Sequence, residues 1–185
     1  MVMAVLITVP RLADASESRQ LPSIRLQMDN DAAVPAAMLQ KSQEQVTRIF
    51  AAAGLGVEWT ETGPRFTVQI VPNALGYART SSPVMGVVER KPSGATAHIF
   101  FHEVQDFARR CDVEVDALMA YVIAHEIGHL LLPRTPHSVS GLMKADWDTA
   151  FVRAATSRSM TFTDAQVKRI LGSADAAVGS PLASR

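Results

Sequence analysis

The alternation of apolar and polar residues predicts that the folded part of the chain begins with a strand and a long helix. Residues 23–28 alternate with a period of two, which indicates a half-buried strand that ends at Asp29. Pro35 suits the first turn of a helix, and apolar side chains then recur at helical spacing until Gly54. We therefore predict an amphipathic helix over residues 34–53.

Shorter apolar segments predict further strands and a buried helix. Residues 57–60 and 66–71 are candidate strands separated by a Gly63-Pro64 turn, and residues 72–83 have the composition of a loop. Residues 84–89 and 97–102 are two more candidate strands. Residues 113–132 are mostly apolar and contain no proline, which predicts a buried helix. The remaining helices are predicted at residues 148–155 and after Thr163 as N-cap, the last with Val167, Ile170 and Leu171 facing inward.

The predicted buried helix contains an HExxH motif at residues 125–129. His125 and His129 are four residues apart, so they lie on one helix face with Cβ atoms about 5–6 Å apart and can share one ion. Glu126 is rotated off that line, which places its carboxylate beside the ion as a partner for water. The alternative is two buried histidines and a helical glutamate without metal, but burying three unpaired polar groups costs several kcal/mol.

A catalytic zinc site needs three protein ligands and an open position, so a third ligand must come from elsewhere. Pro133 stops the helix, and His137 follows eight residues after His129, which leaves the chain room to turn back towards the ion. The alternative third ligands are the downstream carboxylates Asp146, Asp148 and Asp164.

The segment HEIGHLLLPRTPHSVSGLM, residues 125–143, resembles the zinc-binding segment of the metzincin metallopeptidases, and its HS…LM ending is most similar to the matrixin branch. That family has HExxHxxGxxH followed by a tight turn with a methionine beneath the metal. The resemblance implies His125, His129 and His137 as zinc ligands, Glu126 as general base and Met143 as the methionine of the turn. The sequence departs from the pattern in two ways, because the third histidine comes two residues later and Leu132 replaces the glycine.

The resemblance implies a single α+β domain with a mixed twisted sheet, a long packing helix and an active-site helix, followed by the methionine turn and C-terminal helices. In such a domain the fourth strand is an antiparallel edge that lines the cleft, and residues 84–89 are our candidate for it; the alternative is an ordinary hairpin without ligand. The expected function is a zinc-dependent metallopeptidase that hydrolyses a peptide or protein substrate through a zinc-bound water activated by Glu126. The alternatives are a non-catalytic zinc-stabilised binding domain and a scaffold that binds no metal.

Composition argues against nucleic-acid binding, and the positions of Cys111, His98 and His102 argue against further metal ligands. The chain has 18 Lys+Arg and 18 Asp+Glu without a basic run, so we expect no binding to nucleic acid. Cys111 is the only cysteine, which excludes an intrachain disulfide, and its position before the active helix favours a buried thiol over a zinc ligand. His98 and His102, predicted on one strand, would be about 13 Å apart and too distant to share an ion.

The domain organisation predicted from the sequence has three parts. Residues 1–10 are almost wholly apolar and Ala13-Asp14-Ala15 resembles a cleavage site, so residues 1–15 are predicted to be a signal-peptide remnant of a secreted or periplasmic protein. The alternative is an N-terminal strand or tail of a cytoplasmic protein. Ten apolar residues are too few to span a bilayer, which requires roughly 20, so we expect no membrane anchor. Residues 20–172 form the metallopeptidase-like domain, expected to be a monomer, and residues 173–185 a flexible tail.

Overall fold

The computed structural model describes residues 21–62, 66–74, 84–132, 137–158 and 160–178. Within these ranges the chain forms five strands and five helices. In chain order they are β1 (Ser23–Asn30), α1 (Ala36–Ala52), β2 (Gly56–Thr60), β3 (Phe66–Val71), β4 (Gly86–Lys91), β5 (Gly94–Phe100), α2 (Phe101–Cys111), α3 (Val115–Leu131), α4 (Thr149–Arg158) and α5 (Asp164–Val178).

The five strands form one mixed sheet in the order β2-β1-β3-β5-β4. β1 runs parallel to β2 and β3, and β3 runs parallel to β5. β4 is antiparallel to β5, with Val88 opposite Ala97, and it forms one edge of the sheet. The prediction of an antiparallel edge strand near residues 84–89 is therefore confirmed, with the strand displaced two residues towards the C-terminus. The mixed sheet and the five helices agree with the predicted α+β class.

Helix α3 lies at the centre of the fold. Every residue from Leu118 to Leu131 except His129 is buried, which is typical of a helix surrounded by protein on all sides. It contacts the helices α1, α2, α4 and α5 and the strands β4 and β5. Because its neighbours exclude water, the buried polar groups of α3 are desolvated. The predicted buried helix is thus confirmed.

The prediction of a strand over residues 97–102 is wrong at its last two residues. β5 ends at Phe100 and α2 begins at Phe101, so His98 and His102 do not share a strand. The apolar run Ile99-Phe100-Phe101 continues the strand pattern locally, and a short apolar run does not distinguish a strand from a buried helix. The helical spacing is present further along, where the buried residues of α2 are Phe101, Val104, Phe107, Ala108 and Cys111.

The C-terminal helices agree with the sequence, with one extension. Gln166 Oε1 accepts a hydrogen bond from the Thr163 backbone N–H at 2.9 Å, and Thr163 Oγ1 accepts one from the Gln166 N–H at 3.4 Å, which makes a capping box at the start of α5. Ile170 is buried, and Val167 and Leu171 pack against the core. α5 continues to Val178, through residues predicted to belong to the tail.

Several predictions fall outside the described residues. These are the signal-peptide remnant at residues 1–15, the Gly63-Pro64 turn, most of the loop over residues 72–83, and the tail beyond residue 178. Among the helices that the structure describes, none combines the length and the apolar character needed to cross a membrane.

Candidate metal centre

Two of the predicted ligands lie on the last two turns of α3. His125 is buried and His129 is partly exposed. Their Nε2 atoms are 3.1 Å apart, and the two rings meet edge to face with centroids 4.7 Å apart. The four-residue spacing therefore brings both imidazoles to one point, as the helix geometry predicts.

His137 joins them from the segment that follows the helix. Its Nε2 atom is 3.2 Å from Nε2 of His129, and its ring stacks on that of His125 with centroids 5.3 Å apart. One ring nitrogen from each of the three histidines lies within 4.8 Å of the other two, close enough to hold a metal ion. His137 therefore lies beside the two helical histidines, as the sequence suggested.

The donor set fits a tetrahedral cation such as Zn²⁺. His125 Nδ1 lies 2.8 Å from the carbonyl oxygen of Leu142, and because a carbonyl can only accept, this nitrogen carries the proton. Nε2 of a neutral His125 is then a bare lone pair directed at the other two rings. Two ligands at 2.0–2.1 Å on a tetrahedral centre lie about 3.4 Å apart, near the 3.1 and 3.2 Å observed between the Nε2 atoms.

Burial keeps the two helical histidines uncharged at neutral pH. Desolvation lowers the pKa of His125 to about 4, against a smaller opposite effect of the Leu142 carbonyl. Desolvation also lowers the pKa of His129 to about 4, with further contributions from His125, His137 and Arg90. Since only the neutral imidazole binds a metal, both side chains are in the ligand form without the loss of a proton.

Glu126, the residue after His125, is buried, with 7% of its surface exposed. Desolvation raises its pKa to about 8. Gly86, the first residue of β4, makes room for this side chain, because a Cβ atom there would lie 2.7 Å from Cγ and 2.9 Å from Oε1 of Glu126. Without a cation the carboxyl group therefore keeps its proton at neutral pH, and a nearby cation would favour the ionised form that a general base requires.

A tight turn lies below the three rings. The Lys144 N–H donates to the Gly141 carbonyl at 3.1 Å, so Leu142 and Met143 are the two central residues. Met143 is 1% exposed and packs against α3 at Gly128, where a Cβ atom would lie 2.4 Å from its sulfur. The glycine within HExxH therefore gives the methionine access to the helix, and the turn places the Leu142 carbonyl on His125.

The segment that holds His137 is anchored to the C-terminal part of the domain. The Leu142 N–H donates to the Thr161 carbonyl at 3.0 Å. Gln166 is 5% exposed and donates through Nε2 to the Ser138 hydroxyl at 3.0 Å. Ser138 directly follows His137 in the sequence. Thr161 and Gln166, at and just before the start of α5, therefore hold the segment over residues 138–142 by hydrogen bonds.

Sequence reasoning missed several residues around the site. They are Gly86, Arg90, Trp147 and Gln166. The Trp147 ring meets that of His125 edge to face, with centroids 5.5 Å apart. A signal existed for Gln166 alone, in the T-x-x-Q capping pattern. Gly86, Arg90 and Trp147 contact residues that are distant in the sequence, and no sequence motif links them to those residues.

The alternative third ligands do not join the histidines. Among the described residues, the group brought together for a metal consists of His125, His129 and His137. Asp148 instead accepts a hydrogen bond from the Phe151 N–H at 2.7 Å and caps α4. Cys111 is buried, and desolvation raises the pKa of its thiol, as expected for a packing residue.

Comparisons with models of known protein families and with curated proteins found no significant match for this chain.

Proposed function

We propose that this protein is a zinc-dependent peptidase of metzincin-like architecture, in which His125, His129 and His137 bind the metal and Glu126 is the general base. The observation that carries the proposal is the convergence of three Nε2 atoms beside a buried carboxyl group that is not a member of the ligand cluster. A purely structural zinc site fills its fourth position with protein and has no use for a base. The antiparallel edge strand β4 and the tight turn with buried Met143 add support.

A bound Zn²⁺ ion would supply a Lewis acid, which acidifies water and stabilises negative charge on a carbonyl oxygen. The residues of the chain do the rest. Glu126 accepts the proton of the attacking water and delivers it to the leaving amine. A nearby cation favours the ionised carboxylate, so metal binding lowers the pKa of Glu126 from its value in the empty site.

The proposed substrate is an extended peptide. Among the described residues β4 is the last strand of the sheet order, so its outer side offers backbone groups to a further strand. An extended chain added there would be held by main-chain hydrogen bonds alongside α3. We propose an extracytoplasmic location as well, on the basis of the apolar residues 1–10 alone.

The test is cleavage profiling of a broad peptide library by the purified protein, with zinc content measured in parallel. We expect one zinc per chain and cleavage that a chelator abolishes. Glu126→Ala should retain zinc and lose turnover, and His129→Ala should lose both. A Glu126→Ala protein as active as the wild type would refute the mechanism, and zinc binding without cleavage of any peptide would favour the non-catalytic binding domain.

A further inference from the structure

The last turn of α3 has backbone carbonyl groups that the helix itself cannot satisfy. α3 ends at Leu131, so its final carbonyls have no partner in a following turn. In a continuing helix the His129 carbonyl would accept a hydrogen bond from the N–H of residue 133. That residue is Pro133, which has no N–H. The carbonyl of His129, a candidate ligand in the last turn, therefore needs a donor from outside the helix.

Arg90 on the edge strand β4 is that donor. Its Nη2 donates to the carbonyl oxygens of both His129 and Leu130. The positive guanidinium group also lies at the negative end of the helix dipole, where a cation is favourable. Gly86, four residues earlier on the same face of β4, lies against Glu126. One face of β4 therefore contacts α3 both at the proposed base and at the backbone of a proposed ligand.

We propose that Arg90 is a positioning residue of the metal site. It supplies the donor that Pro133 lacks, fixes the last turn of α3, and thereby holds the His129 ring in place for the metal. The inference rests on the proposed zinc site. Arg90 acts through the backbone of His129 and does not bind the metal.

The direction of the change in zinc affinity distinguishes a positioning role of Arg90 from an effect of its charge. Removal of a positive charge near a cation site strengthens cation binding by Coulomb's law. Loss of positioning weakens it, because partners of metal ligands typically contribute about 10–100-fold to metal affinity. A weaker zinc affinity in a variant without the Arg90 charge therefore cannot come from charge alone.

The experiment measures zinc affinity by competition with a chromogenic chelator for the wild type, Arg90→Met and Arg90→Gln. We expect both substitutions to raise the zinc dissociation constant, Arg90→Met by about tenfold, because methionine has no N–H donor and the glutamine side chain is shorter than that of arginine. The matched control is Lys91→Met, which removes the same charge from the next residue of β4, an exposed lysine paired with Glu89. We expect the control to leave the affinity unchanged. The visible spectrum of the cobalt-substituted protein should change in the Arg90 variants and not in the control.

Unchanged or tighter zinc binding in the folded Arg90 variants would overturn the positioning role, even if their unfolding free energy falls. If Arg90→Met does not fold, the dissociation constant of Arg90→Gln decides by the same criterion. A wild-type protein that binds no zinc would overturn both the proposed function and the role of Arg90. A wild type that binds zinc and cleaves peptides, with unchanged affinity in the variants, would overturn the role of Arg90 alone.

Discussion

Glu126→Gln in the metal-free protein offers the most quantitative test of the site, because the carboxyl group is buried where a charge is unfavourable. Desolvation raises the pKa of Glu126 from 4.5 to about 8. Between these two values the folded protein retains a proton that the unfolded chain releases. The stabilising contribution of the protonated carboxyl group is therefore complete below pH 4.5 and is lost as the pH rises towards 8.

The loss amounts to about 1.4 kcal/mol for each pH unit within that window. Glutamine has nearly the same shape and no charge at any of these pH values. The free energy of unfolding of Glu126→Gln minus that of the wild type should therefore increase by about 3 kcal/mol from pH 5 to pH 7. His125 and His129 have lowered pKa values, so their protonation destabilises the folded protein as the pH falls from 6.5 towards 4. That contribution is common to both proteins and cancels in the difference.

The assay is urea unfolding followed by tryptophan fluorescence, in chelator, at pH 5, 6, 7 and 8. Chelation matters because a bound cation favours the ionised carboxylate. The control is Glu89→Gln on β4, an exposed carboxyl group whose pKa is lowered by its hydrogen bonds with Lys91 and His98. Its difference from the wild type should not grow over this range. A Glu126→Gln difference that stays constant from pH 5 to pH 8 would show that Glu126 is not desolvated and would refute the reasoning.

Three further substitutions test the packing around the site. Gly128→Ala should lower the free energy of unfolding by about 1–2 kcal/mol in urea titrations, because the overlap with Met143 outweighs the better helix propensity of alanine; a neutral or stabilised variant would contradict this packing. Gly86→Ala should displace Glu126 and reduce turnover by about 10–100-fold while zinc content stays at the wild-type level, so a normal turnover number would disprove the close approach. Gln166→Leu leaves buried donors and acceptors without partners and should lower the unfolding free energy by about 1–3 kcal/mol, measured in the same titrations; no loss would mean that water replaces the side chain.

The local elements and the centre of the site followed from the sequence. The period of two predicted β1, a short apolar segment predicted β3, and the metzincin resemblance implied β4 as an antiparallel edge. Helical periodicity predicted α1, and the apolar stretch without proline predicted α3. The HExxH spacing placed His125 and His129 on one face. The helix stop at Pro133 left His137 as the candidate that returns to the site, and its Nε2 does lie beside that of His129.

Other features were beyond the sequence patterns. α2 was missed because the apolar run across Ile99-Phe100-Phe101 fits a strand and the start of a buried helix equally well. Arg90 and Gln166 reach the site from 39 and 28 residues away along the chain. Hydrogen bonds between such distant residues have no periodic signature, since they depend on how β4 and α5 pack against α3.

The sequence by itself determined which side chains share a face, because helix and strand geometry repeat over a few residues and depend only on local order. Only the tertiary structure decided how those faces are used. Packing of the sheet and four helices around α3 removes water from Glu126 and from two imidazoles, and this desolvation sets their pKa values. Desolvation is a property of the assembled core, so no spacing of residues along the chain could specify it.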